Sequence, residues 1–238
     1  MSEKIEPNNF DLTKIRFTAS EPRISSYISA TKDCNNLKEA IQIYQYNIQL
    51  CESLYSSLHT FEITLRNKLD QSLIYKYGKM WHSDESLLLL NEQERKQVEK
   101  AIDEYKKHDK YKKLKLIENH KLLIITPITE LNLGFWTNLL TKKQYEQSVF
   151  VKCISDVFPF AKNTDRNTRN IRENLEIVRK LRNRVFHYEP IWRNNYNIHQ
   201  KYQTIYCLMG WMCPETSNWM RHYDNFKKIY DKEYSNFT

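Results

Sequence analysis

A chain of 238 residues is long enough to bury a sizeable core, and its composition narrows what that core can be. Only three glycines occur, Gly78, Gly134 and Gly210, which leaves little material for tight hairpins or phosphate-cradling loops and marks the chain as all-α. The net charge of +8 favours a polyanionic partner such as nucleic acid, although a soluble basic protein with no such partner has the same balance.

Sixteen tyrosines add rings on which unpaired bases can stack, while most rings of a helical protein belong to its core. The five cysteines, Cys34, Cys51, Cys153, Cys207 and Cys213, are odd in number and scattered, with no C-x-x-C pair, which points to buried reduced thiols and no zinc site. No apolar run approaches the roughly eighteen residues of a membrane span, so the expectation is a cytoplasmic protein that does not enter a membrane. P-loop, dinucleotide, zincin and serine-elbow patterns are all missing.

In chain order, residues 1–20 show no period and read as a loose arm, with 21–238 as a single helical domain. Arg23 to Ala30 suits a short helix, and Thr31-Lys32-Asp33 supplies start signals for the next. That next helix is the longest: Leu37, Ile41, Tyr44, Ile48, Cys51, Tyr55, Leu58, Leu65 and Leu69 recur at steps of three and four, as a central packing or dimerisation helix requires. Glu62 falls inside this stripe with Arg66 one turn on, which predicts an i,i+4 ion pair partly withdrawn from water. Tyr77-Gly78 ends the helix. Another is expected from Ser83-Asp84-Glu85 to Tyr105, followed by a lysine-rich stretch, 106–121, that serves either as a solvated face or as a track for an RNA backbone.

Leu122 to Ile125 reads as a buried segment leading into a helix over Leu131 to Leu140, with a further helix over Lys142 to Val157 before the break at Phe158-Pro159. Asn163-Thr164-Asp165 is expected to cap the next helix, and two closing helices, 196–213 and 215–232, are split by Pro214.

The chemistry concentrates at Arg182-Asn183-Arg184-Val185-Phe186-His187-Tyr188-Glu189-Pro190-Ile191-Trp192, an R-N-x-x-x-H element with proline three residues past the histidine. Histidine takes and returns a proton near neutrality, and the permanently charged fork of arginine holds phosphate oxygens, a pair suited to phosphodiester chemistry without a metal or cofactor. Ile171, Leu175, Val178, Leu181 and Val185 make the apolar stripe, with Glu176, Arg179, Asn183 and His187 opposite. Arg182 lies about 140° from His187 on an ideal helix. Either the helix distorts near Glu189-Pro190 or a second copy completes the site, which predicts a homodimer. Arg66-Asn67 repeats the start of the motif but has Gln71 where histidine would stand, so it binds or orients phosphate or is structural. Arg193-Asn194 with His199 is a looser rival.

The run LRNRVFHYEPIW resembles the signature of Abi-like (abortive infection) bacterial proteins, a branch of the HEPN superfamily of helical RNases. Three further stretches agree in order: Glu21-Pro22-Arg23-Ile24 with Tyr44-Gln45-Tyr46-Asn47, then Phe61-Glu62-Ile63-Thr64-Leu65-Arg66-Asn67, then Leu133-Gly134-Phe135-Trp136. The resemblance covers roughly residues 20 to 195. It implies a HEPN-like helical bundle with long central helices and added C-terminal helices, and an endoribonuclease toxin in antiphage defence, restrained by an antitoxin that in some relatives is a small structured RNA. Arg182, Asn183 and His187 become the candidate catalytic residues. Glu62, Arg66, Asn67, Arg179, Arg184, Tyr188 and Glu189 become supporting or RNA-binding candidates, Glu189 by fixing the histidine tautomer. Two other readings stay open on the residues alone: an RNA-binding protein without catalysis, and an interaction domain in which the motif is a fold staple.

Overall fold

The computed structural model describes residues 10–31, 36–83, 88, 90–107, 127–193 and 196–237, and among them it is all-α, with no strand. The ten α-helices of these residues are α1 (Leu12–Thr18), α2 (Glu21–Ile28), α3 (Leu37–Tyr77), α4 (Glu92–Lys107), α5 (Leu133–Thr141), α6 (Val151–Val157), α7 (Thr168–Phe186), α8 (Ile198–Met212), α9 (Pro214–Tyr223) and α10 (Phe226–Phe237). The apolar run 122–125 and all but the first two residues of the lysine-rich stretch lie outside the described residues. Lys106 and Lys107 pair with Asp103 and Glu104.

Capping chemistry sets the helix ends, at α7 with a different residue from the one expected. α1 lies within the expected arm; the Asp11 carboxylate accepts from the Thr13 and Lys14 N–H groups, and the helix buries no side chain. α3 starts after Asn36, whose carboxamide accepts from Glu39 N–H, and the expected start signals at Lys32-Asp33 lie outside the described residues. It ends as expected at Tyr77, where Gly78 takes φ +84° and its N–H bonds the Ile74 carbonyl. α4 begins at Glu92, where Asn91 takes Glu94 N–H at 3.0 Å, and the expected start at Asp84-Glu85 lies outside the described residues. α7 is capped by Asn167, which takes Asn170 N–H at 2.8 Å, while Asp165 closes an earlier turn onto Lys162.

The stretch expected as one helix over Lys142 to Val157 is a 3-10 turn, a π turn and α6 in succession; the wide turn directs both Val149 and Phe150 inward. Three closing helices replace two, since Pro214 opens α9 and Asp224 caps α10 through Phe226 N–H.

Contacts gather into two units. The first comprises 1–55, 184–198 and 224–238, and the second 56–183 and 199–223. In the first, Tyr27 meets the edge of Tyr44 at 5.3 Å and stacks on Trp192 at 6.3 Å, beside Ala40 and Ile43. Here the inward line of α3 is Ala40, Ile43, Asn47, Leu50 and Leu54, offset from the expected stripe, and Tyr55 is left 51% exposed. A small and a polar residue occupy inward positions, which a count of hydrophobic residues cannot register. In the second unit Phe61, Leu65, Leu69 and Leu73 of α3 are fully buried, as are Ile171, Leu175, Val178 and Leu181 of α7. Each such side chain contributes on the order of 2 kcal/mol to folding. Trp81, Phe135 and Trp136 form an aromatic cluster in the same unit.

Candidate active site

The motif is divided between the two units: Arg179, Arg182 and Asn183 belong to the second, and Arg184, His187, Tyr188 and Glu189 to the first.

In the second unit the apolar stripe of α7 faces inward, and the motif's polar members lie off that line. Asn183 is exposed. Arg179 forks onto Glu176, with Nε and Nη2 both at 2.8 Å, and Lys180 approaches the same carboxylate at 3.4 Å. The hydrogen bonds from Arg179 hold the Glu176 carboxyl below its usual range, against the opposing effect of partial burial.

Arg182 is half-buried, and its Nε stands 3.4 Å from Glu62 Oε2, with side-chain exposures of 25% and 20%. The other oxygen, Oε1, accepts Leu133 N–H at 2.9 Å. That donor is the first residue of α5, where the helix has no internal acceptor to offer. The expected Glu62–Arg66 pair is therefore replaced by a longer-range one. Arg66 instead donates from Nε to Asn67 Oδ1 at 3.3 Å, and Asn67 is exposed.

The first unit holds the end of α7. Tyr188 N–H bonds the Val185 carbonyl at 3.1 Å and Glu189 N–H bonds the Arg184 carbonyl at 2.9 Å, while Tyr188 takes φ +50°. This is the left-handed helix closure usually made by glycine, with His187 as the C-cap and tyrosine in the left-handed position at a cost of about 1–2 kcal/mol. A strained residue of this kind persists where its surroundings over-determine it.

Those surroundings are on both sides of the turn. Asn47, fully buried, accepts Ile191 N–H on Oδ1 at 2.8 Å and donates from Nδ2 to the Glu189 carbonyl at 3.3 Å. Arg23 Nη2 reaches the His187 carbonyl at 3.5 Å. Glu189 pairs with Arg184 Nε at 3.0 Å rather than with the imidazole, and the Arg184 guanidinium lies 4.7 Å over the Tyr196 ring. The His187 side chain is exposed, and among the described residues its imidazole meets no hydrogen-bond partner.

Cys51, Glu52, Tyr55, Val185, Phe186 and Tyr188 line a groove beside this turn, with Tyr55 stacked on Phe186 at 4.6 Å. Burial pushes the Cys51 thiol up to about 12, so it is an inert packing group. Cys153 is also buried, whereas Cys207 is exposed and Cys213 partly so.

The motif spacing could not announce Asn47, Arg23 or the Leu133 N–H. The signal for Asn47 is an amide within an apolar helical stripe, since a buried carboxamide must find partners. A family model described as Abi-like protein matches residues 22–193. The chain belongs to the Abi-like protein family. No curated protein and no solved structure matches it. The Abi-like span takes in every landmark run from Pro22 to Trp192. In the first unit Asn47, Tyr44 and Trp192 surround or anchor the motif turn, and in the second Glu62, Leu133 and Arg182 meet at one carboxylate. Among the described residues no helix of this Abi-like protein is long and apolar enough to cross a membrane.

Proposed function

We propose that this Abi-like protein is a metal-independent endoribonuclease of the HEPN type, acting as a toxin in abortive-infection defence within the cytoplasm. The observation that carries the reading is the setting of His187: an exposed imidazole on a backbone held by Arg23, by buried Asn47 and by a left-handed closure at Tyr188. A structural histidine gains nothing from so constrained a turn when its ring makes no hydrogen bond among the described residues. A proton-transfer group does, because its reach must be defined before the substrate arrives.

In this mechanism neutral His187 takes the proton of a ribose 2′-OH as that oxygen bonds to the adjacent phosphorus. The bond to the 5′-oxygen breaks, that oxygen takes up a proton from solvent and the His187 imidazolium returns its own to solvent, giving a 2′,3′-cyclic phosphate and a 5′-OH with no net water consumed. Arg182 stabilises charge on the phosphoryl oxygens, and Asn183, exposed on α7, positions the phosphate. Each contribution is worth on the order of 10²-fold or more in rate. Arg66, Asn67, Arg179 and Arg184 are assigned to the RNA path, and Tyr188 and Glu189 to shaping the turn. The active form is a homodimer, and a basic chain of net charge +8 accommodates both substrate RNA and a small structured RNA antitoxin.

The Arg182–Glu62 ion pair favours a second reading, in which the arginine is a fold staple and the protein binds RNA without cutting it. His187→Ala separates the two. On the catalytic reading, cleavage of labelled RNA in excess EDTA disappears while RNA affinity changes less than about threefold, since no permanent charge is removed. Unchanged cleavage by His187→Ala would overturn the role given to His187, and a parent that binds RNA and never cuts it would establish the other reading.

A further inference from the structure

Glu62 is a residue of the second unit whose contacts exceed what packing needs. It sits on the inward side of α3, where the sequence pattern calls for an apolar residue, and is only 20% exposed. A carboxylate so placed costs free energy unless both oxygens are satisfied. Here two elements far apart in sequence meet it: Leu133 N–H of α5 bonds Oε1 at 2.9 Å, and Arg182 Nε of α7 faces Oε2 at 3.4 Å as an ion pair without a hydrogen bond.

The two contacts differ in kind. The bond to Leu133 stabilises the start of α5, a task that Asn132 already performs through Phe135 N–H at 3.1 Å. The ion pair orders a long, rotamer-rich side chain that would otherwise lose its rotamer freedom only when a ligand immobilises it. Because the carboxylate is itself fixed by Leu133, the guanidinium is held against a rigid support rather than a flexible one.

We infer that Glu62 is a positioning residue for Arg182: held by the α5 N-terminus, its carboxylate fixes the guanidinium in the orientation that meets the phosphoryl group. This rests on the ribonuclease reading above. It differs from a general stabilising role because the effect on catalysis passes through Arg182 alone. It also explains the polar position in the stripe, since an apolar residue of similar volume would pack at least as well but would take this carboxylate away from the arginine.

The test is a double-mutant cycle on RNA cleavage with Glu62→Gln, Arg182→Ala and the pair, each also measured by thermal unfolding. The carboxamide introduced by Glu62→Gln can still accept Leu133 N–H but offers Arg182 Nε no charge. Cleavage by E62Q is expected to fall about 10–100-fold, chiefly in kcat, the scale of a misplaced catalytic group. Glu62→Asp, which restores the charge on a shorter arm, should recover part of that loss. In the Arg182→Ala background the Glu62→Gln substitution should lower the rate less than about threefold further, because the residue through which it acts is gone.

An equal loss in both backgrounds would assign Glu62 to α5 alone and overturn the inference, as would E62Q cleaving at the parental rate. A parent chain inert toward RNA would overturn the ribonuclease reading and this assignment together, an outcome distinct from a cleaving parent whose E62Q variant is unaffected.

Discussion

Replacing Asn47 with alanine removes a side chain that grips the backbone on both sides of Pro190. The structure allows the cost to be built up. Losing the 3.3 Å bond to the Glu189 carbonyl costs about 1 kcal/mol, and Ile191 N–H, on a residue that is fully buried, is left without its acceptor at about 1–3 kcal/mol. The total is about 3 kcal/mol, a large share of the roughly 5–15 kcal/mol typical of a folded chain. For a chain of this size that lowers Tm by about 6–12 °C, at roughly 2–4 °C per kcal/mol.

The assay is thermal unfolding followed by circular dichroism, with exposed Asn67→Ala as a control expected to stay within about 0.5 kcal/mol of the parent. Asn47→Asp should fall between parent and alanine, since it keeps an acceptor for Ile191 but sets an oxygen against the Glu189 carbonyl. RNA cleavage should drop with Asn47→Ala although Asn47 touches no substrate, because the backbone carrying His187 loses its anchor. A Tm within about 2 °C of the parent together with parental cleavage would refute the claim that Asn47 defines this turn.

At Tyr188 the φ of +50° reverses the ordinary order of substitution: Tyr188→Gly should be more stable than Tyr188→Ala by about 1 kcal/mol, measured by denaturant unfolding, and an alanine variant at least as stable as glycine would contradict the left-handed closure. Burial raises the Asp70 carboxyl above its ordinary 3.8, against the opposing hydrogen bond from Trp81 Nε1 at 2.8 Å and the nearby Arg66 charge. The folded state therefore binds that proton more tightly than the unfolded chain, and the contribution of Asp70 to stability falls as pH rises from 3.8 through the raised value. Asp70→Asn keeps the acceptor for Trp81 and should show a flatter stability profile across that window; a parent that gains stability relative to the variant as pH rises there would contradict the assignment.

What the sequence made legible is what short-range periodicity encodes. Ile171, Leu175, Val178, Leu181 and Val185 are all buried as their spacing predicts, and Gly78 ends α3 because few other residues take its conformation at no cost. Helix starts are less legible. Asn167 caps α7, while Asp165, a residue of similar capping propensity, closes an earlier turn onto Lys162. The inward line in the first half of α3 escapes the apolar pattern for a related reason, since Asn47 turns inward to satisfy a turn 142 residues away in sequence.

The pairing of Glu62 shows the same limit. A local rule sees only Arg66, one turn along, whereas tertiary structure brings in Arg182 and pairs it with Glu62. Glu189 is likewise expected at the imidazole, but it pairs with Arg184 once the chain closes in a left-handed turn.

The central claim, that the ribose 2′-OH is the nucleophile and His187 its base, is tested most directly with a labelled RNA carrying a single 2′-deoxy nucleotide at the mapped cleavage site, incubated in EDTA beside the all-ribose strand. The all-ribose strand should be cut to a 2′,3′-cyclic phosphate and a 5′-OH, with the bond 3′ of the deoxy nucleotide left intact. Cleavage at that bond, or arrest of the all-ribose reaction by chelation, would contradict it.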